Sequence, residues 1–214
     1  GSRFSLGADQ RLEPSAWYAS ATWRAYWQGT DTTQKTAEQR SAVPPRAPPV
    51  SIDRTFRYDD RTLGAEFTAV QALTGGDWNH ELTYGFEYAW TRLEEMRNGK
   101  QTNLTTGATT NTILGETFPL RDFPTSDVTD AGLFAQDEIR IDEGRWSVIP
   151  ALRFNYYDLS PRPDSLYRED NPNVPVVGLN DVSLSPKLGL TWQASASLVG
   201  FFQYSNGFRA PPPE

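Results

Sequence analysis

From Glu81 to Arg92 the even positions carry Leu82, Tyr84, Phe86, Tyr88 and Trp90, and the odd ones carry Glu81, Thr83, Gly85, Glu87, Ala89 and Thr91. A period of two places alternate side chains on opposite faces of a strand, here one apolar and one small or charged. The pattern recurs at Trp146–Tyr157, where Trp146, Val148, Pro150, Leu152, Phe154 and Tyr156 share a face, and at Val182–Trp192, with Leu184, Pro186, Leu188, Leu190 and Trp192. Softer versions run through 16–28 (Trp17, Ala19, Ala21, Trp23, Ala25, Trp27), 62–73, 128–141 and 197–209. With a short strand at 3–10, the chain is read as about eight strands.

Connections alternate in length. Short turns are expected near Arg11–Pro14, Thr74–Asn79, Asp142–Arg145 and Gln193–Ala196, and long loops over 29–55, 97–127 and 158–181. Short turns at one end and long loops at the other are the layout of outer-membrane barrels. A soluble antiparallel sheet also alternates. Lipid is favoured because the apolar face carries almost no charge and its rings cluster near both ends: Trp78, Trp146 and Trp192 at the turn end, Trp90, Tyr156 and Tyr204 towards the loop end. The opposite face bears Arg24, Glu66, Glu87, Asp130, Glu138, Arg140, Arg153 and Lys187. A tightly filled small barrel would have to pair those charges, whereas a wide lumen leaves them against water or a plug.

Composition narrows the class further. Mean hydropathy is −0.59, and no run of about 18 apolar residues offers a spanning helix. Aromatic residues make up 13% of the 214, too many for a disordered acidic segment despite a net charge of −7. Cysteine is absent and His80 is the sole histidine, which excludes a disulfide framework, a multi-histidine metal centre and a chain with histidines to spare for a catalytic triad. The acidic balance argues against nucleic acid as a partner. Gly1-Ser2-Arg3-Phe4-Ser5 has no signal-peptide character although a barrel demands export, so the chain reads as an internal piece of a longer protein.

The loops carry weaker signals. Val43-Pro44-Pro45-Arg46-Ala47-Pro48-Pro49-Val50 is expected to favour polyproline II and stiffen the first long loop as a spacer. The Thr, Gly and Asn-rich stretch 98–111 is expected to be mobile, and its Asn103-Leu104-Thr105 glycosylation pattern is uninformative in a bacterial surface loop. Acidic and aromatic residues such as Asp158, Asp164, Tyr167 and Asp170 could suggest an enzyme or a carbohydrate-binding sandwich, but no nucleophile and base stand at a recognisable spacing.

The chain ends Tyr204-Ser205-Asn206-Gly207-Phe208-Arg209-Ala210-Pro211-Pro212-Pro213-Glu214. This resembles the stretch of TonB-dependent outer-membrane receptors that in haem and haemoglobin receptors is called the FRAP box, matched by Phe208, Arg209, Ala210 and Pro211. Gly132-Leu133-Phe134-Ala135-Gln136-Asp137-Glu138, the strand Arg145–Tyr157 and Ser185-Pro186-Lys187-Leu188-Gly189-Leu190 are similar to the same superfamily, siderophore receptors included. The resemblance implies an all-β transmembrane antiparallel barrel, with residues 1–214 forming about eight consecutive strands of a wall of about 22 and no plug domain. It implies TonB-dependent uptake of haem, or of a ferric siderophore or other chelate as cargo, without an enzymatic step. Partners would be outer-membrane lipid, the TonB complex acting through a plug, and a haem-carrying protein. The box would position an external loop, since the prolines must end the strand. The haem-ligating histidines of such receptors have no counterpart here, and Asn171-Pro172-Asn173-Val174, like a second element of theirs, lies in the wrong loop and reads as an ordinary turn. His80, beside the Trp78 turn, reads as solvated or interfacial. A small structural or adhesive barrel is the alternative of another class.

Overall fold

The computed structural model describes residues 1–75 and 78–207. Eight long strands follow one another as an antiparallel meander: β1 (Ser2–Leu12), β2 (Ser20–Arg40), β3 (Val50–Gly75), β4 (Trp78–Asn103), β8 (Thr125–Ile141), β9 (Trp146–Arg162), β10 (Leu179–Ser195) and β11 (Leu198–Ser205). Between β4 and β8 lie three two-residue strands, β5 (Thr109–Thr110), β6 (Thr112–Ile113) and β7 (Glu116–Thr117), and a short helix α1 (Ser165–Asp170) precedes β10. Sheet order is β1-β2-β3-β4-β8-β9-β10-β11, with β5 added beside β4. The sheet is open, its edges being β1 and β11.

Register fixes the two faces. Trp27, Leu63 and Trp90 are cross-strand partners in succession, as are Trp23, Phe67, Phe86, Leu133, Phe154 and Leu184. This outward face is exposed: Leu133 is 59% accessible and Leu184 59%. Such a face is stable only against lipid or protein. At the turn end Trp78, Ile141, Trp146 and Trp192 form one row, with the last two rings stacked at 5.5 Å. Trp78 and Trp90 are twelve residues apart on β4, which at about 3.3 Å per residue and a tilt of about 40° spans roughly 30 Å, the thickness of a bilayer's apolar core. The turn-end girdle expected from the sequence is in place; of the loop-end rings, Trp90 shares its row with Trp27, Tyr156 lies one row further in, in the row of Tyr88, and Tyr204, opposite Leu188, stands only four residues from the turn-end row.

Beyond Trp27 and Trp90 the outward positions become polar, with Arg61 opposite Arg92 and Asp59 opposite both Asp31 and Glu94. Here the strands depart from expectation. The long connections are 41–49, 104–124 and 163–178 rather than 29–55, 97–127 and 158–181, because β2, β3 and β4 continue past the apolar belt as a paired ribbon. Backbone pairing needs no apolar face, so alternation fades while the ladder continues. Trp17 stands in the turn before β2, which starts only at Ser20. The proline-rich segment is a tight turn, not an extended spacer: Val43 and Ala47 bridge each other, and Arg46 N–H donates to Val43 O at 2.6 Å. Residues 98–111 are built into the sheet and a turn in which Asn103 Oδ1 accepts from Thr105 N–H at 2.9 Å, where a mobile loop was expected.

The enclosed core lies outside the apolar belt. Ile52, Ile113, Phe118 and Leu120 are almost wholly buried where the segment after β5 folds back over the inner face of β3 and β4. Phe118 lies against the backbone of Gly99, where an added Cβ would stand 2.7 Å from its ring.

Candidate functional site

Two features of the inner face could meet a solute passing along the wall. The first is a polar band. Cross-strand pairing places Asp9, Arg24, Glu66, Glu87, Gly132, Asn155 and Ser183 in one row across seven strands. Arg153, one row below, reaches over Gly132 to donate to Glu87 Oε2 at 2.7 Å and to Asn155 Oδ1 at 2.6 Å, and Asn155 passes a bond to Ser183 Oγ at 3.2 Å. A Cβ on residue 132 would lie 2.5 Å from the Arg153 guanidinium, so glycine opens the path. Next to this network is a depression lined by Asp130, Phe134, Arg153, Lys187 and Ser205. Six of the charges assigned to this face from the sequence, Arg24, Glu66, Glu87, Asp130, Arg153 and Lys187, thus stand in one zone around the network.

The second feature is the cap at the loop end. Arg97 on β4 donates to Asp122 Oδ1 at 2.8 Å and Glu116 Oε2 at 3.3 Å, with its guanidinium 5.7 Å from the centre of the Phe118 ring. Its hydrogen bond to Asp122 holds the guanidinium pKa above its ordinary value. Two residues away, Glu95 is 1% exposed. Its Oε2 accepts Asp122 N–H at 2.9 Å, its backbone carbonyl accepts from Arg121, and Oε1 has no partner among the described residues. Burial raises the Glu95 carboxyl pKa; Asp122 adds to the rise, while the bond from Asp122 N–H and the charges of Arg97 and Arg121 oppose it.

Arg121 also joins the cap to the following loop by donating to Asp164 Oδ2 at 2.9 Å. Asp164 caps α1 by accepting Tyr167 N–H at 2.9 Å, and Asn171 at the end of α1 donates back to Arg121 O at 3.0 Å. Asn171–Val174 forms the turn expected of it, with Val174 N–H to Asn171 O at 3.3 Å. Asp127, 4% exposed, receives Arg92 at 2.9 Å and Arg162 at 2.5 Å, fastening β8 to β4 and β9.

Among the described residues the polar groups of these two features are engaged in hydrogen bonds and ion pairs with one another. Asp164 and Tyr167 are used by the helix cap, and Asp158 accepts from Ser160 Oγ at 2.7 Å. Among the described residues no group of three or more His, Cys, Asp or Glu could hold a metal ion. His80 lies on the outward face one row in from Trp78. Phe208, Arg209, Ala210 and Pro211 lie outside the described residues. The cap was not legible as a site in the sequence, although Ile113, Phe118 and Leu120, apolar residues inside a polar stretch, were a signal that this loop folds back on something.

Comparison with known proteins adds an independent line. A family model described as "TonB dependent receptor-like, beta-barrel" matches residues 1–214. Its members are bacterial outer-membrane receptors that work with TonB, transporters and not enzymes. No curated protein sequence matches the chain. Among solved structures it is similar to the ferric citrate transporter FecA in its unliganded form, with a TM-score of 0.56 and 15% identity over 93% of this chain. The match covers 26% of that chain, so this sequence spans about a quarter of the transporter's length.

Proposed function

Because the chain belongs to the TonB-dependent receptor β-barrel family, we propose that it is part of the wall of an outer-membrane receptor that imports an iron complex with energy delivered through TonB. The observation that carries this reading is the division of one sheet into an apolar, ring-edged outer face and an inner face with a continuous polar row beneath a built cap. Lipid belongs against the first and a hydrated cargo or a plug against the second. The solved neighbour's cargo, ferric citrate, is of the same broad class. The finer assignment to haem rests on Phe208-Arg209-Ala210-Pro211 alone, and a ferric siderophore is the second reading, supported by the strand motifs at 132–138 and 185–190 that both groups of receptors carry. A plug contacting Arg153, Glu87 and Lys187, a TonB partner and a haem-carrying protein complete the proposal.

The test is uptake. The full-length receptor, expressed in a bacterium lacking its own iron receptors, is offered haem, ferric citrate and ferric siderophores bearing radioactive iron. Accumulation of at least one of them that disappears when TonB is deleted is the expected result, and haem alone would support the finer reading. Accumulation indifferent to TonB, or none with a correctly inserted receptor, would overturn the proposal.

A further inference from the structure

Just beyond Trp27 and Trp90 the outward face carries arginines with hydrogen-bonding capacity to spare. On β4 Arg92 stands two residues past Trp90, which at about 3.3 Å per residue and a tilt of about 40° places it roughly 5 Å outside the apolar belt. Its cross-strand partner on β3 is Arg61, and like charges so placed repel. On its other side it faces Asp127 of β8. Arg92 Nε and Nη2 donate to the two Asp127 oxygens at 2.9 and 3.3 Å, and Nη2 of Arg162, at the end of β9, lies 2.5 Å from Asp127 Oδ2. The shared carboxylate is 5% exposed, whereas the Arg92 and Arg162 side chains are 36% and 64% exposed. The Trp90 ring lies under Arg92, its centre 5.3 Å from the guanidinium carbon. Two accessible cations thus cover one sheltered anion. Of the other carboxylates nearby, Asp158 accepts from Ser160 and Asn180, and Asp31, Asp59 and Glu94 form the next row outward, across β2, β3 and β4.

We infer that Arg92 and Arg162, held by Asp127, form a binding site for a phosphate group of a lipid in the leaflet at the loop end. Arg92 Nη1 and the Nε and Nη1 of Arg162 have no acceptor among the described residues. Guanidinium forks match phosphate oxygens, and two of them fixed by a common carboxylate are already ordered for that contact. Position argues for a lipid as the source. The site is on the outward face, and β4, β8 and β9 are interior strands, with three strands on one side of them and two on the other. Its height, a few ångströms outside the belt, is that of headgroups. Below Asp127 on β8, Thr129 and Ala131 are small beside Trp90 and Tyr88, their partners on β4. They lead down to a shallow apolar depression lined by Tyr88, Ala131, Leu133 and Phe154, wide enough for an acyl chain. Phosphate and chain are thus met at the heights they hold in one lipid.

The inference rests on the reading of this sheet as a membrane wall, and the two can fail separately. The full-length receptor, shown to be folded by its heat-modifiable migration on gels, is exchanged into detergent containing either lipid A, a glycolipid bearing phosphate monoesters, or its dephosphorylated form. Retained lipid is then counted by native mass spectrometry. The phosphorylated form should be retained at least about fivefold more strongly, a comparison that needs no altered protein. Arg162→Gln, at an exposed side chain, should remove most of the preference, and so should Arg92→Gln. Arg145→Gln, in a turn at the opposite end of the strands, should leave it intact. A large excess of inorganic phosphate should not displace the lipid. Equal retention of the two forms by a folded wild-type receptor, or an undiminished preference in folded Arg162→Gln, would overturn the site while leaving the wall standing. Displacement by inorganic phosphate would overturn it in favour of a site for the free ion. A receptor that stays folded and monomeric without detergent or lipid would overturn the wall reading itself.

Discussion

Glu95 is the side chain whose environment departs furthest from its chemistry. A carboxylate 1% exposed, with one oxygen bonded to Asp122 N–H and the other to nothing among the described residues, is more easily held protonated than ionised. Its folded pKa is raised above the ordinary value of 4.5, chiefly by burial. The folded cap therefore binds a proton that the opened cap releases, and stability grows as pH falls from above the raised pKa towards 4.5. Above that window the whole cost of the buried charge is present. Hydrogen exchange of residues 111–123, corrected for the intrinsic rate, should slow on mild acidification in the wild type and change far less in Glu95→Gln. A wild-type cap that opens more readily on acidification would contradict this account. Gly85 makes the complementary case in the membrane-spanning part. A Cβ there would fall inside the van der Waals radius of Phe67 O on the neighbouring strand and 2.8 Å from the Phe134 ring. Because backbone cannot step aside as a side-chain tip can, Gly85→Ala should cost about 2 kcal/mol or more in urea unfolding of the lipid-embedded receptor. Gly75→Ala, where nothing stands within 4 Å, should cost far less.

At the scale of elements, the outward face is a surface whose tolerance depends on depth. Leu133 lies between Phe86 and Phe154 midway along the belt, so Leu133→Arg should destabilise the receptor by about 2–4 kcal/mol. Thr55→Arg, beyond the belt between Lys35 and Asn98, should change stability by less than about 0.5 kcal/mol. Unfolding in liposomes measures both, and equal costs would remove the basis for placing the belt. The same difference in surroundings explains which elements the sequence revealed. All eight long strands were legible because alternation survives wherever one face meets lipid: Leu82 to Trp90 and Trp146 to Tyr156 each announce a strand and its outward face. The ribbon beyond Trp27 and Trp90 was not legible, since Asp31, Asp59, Arg57 and Glu94 face water outside just as Thr32 and Tyr58 face the inner side. Its pairing comes from the backbone. The cap was missed for a related reason: Glu95, Arg97, Asp122 and Arg121 come from two distant stretches, and only the fold-back driven by Ile113, Phe118 and Leu120 brings them together.

At the scale of the whole molecule, the sheet has no interior of its own within the belt. Among the described residues most of its apolar side chains point outward and most of its charges inward, Asp137 on the outer face and Phe134 on the inner being exceptions, and its edges β1 and β11 have a neighbouring strand on one side only. In a bilayer such edges must be paired. The polar row from Asp9 to Ser183 and the cap above it acquire a purpose only when that wall is closed around a lumen. The central claim is therefore which face meets lipid, and an absence in the sequence makes it directly testable, because with no cysteine in the chain every introduced thiol is unique within it. Single cysteines placed from 151 to 155 in the full-length receptor, spin-labelled in liposomes, report collision with oxygen, which concentrates in lipid, and with a charged nickel complex, which stays in water. The account requires positions 152 and 154 to favour oxygen and positions 151, 153 and 155 to favour nickel. Accessibility without that alternation, or with the two faces exchanged, would contradict it.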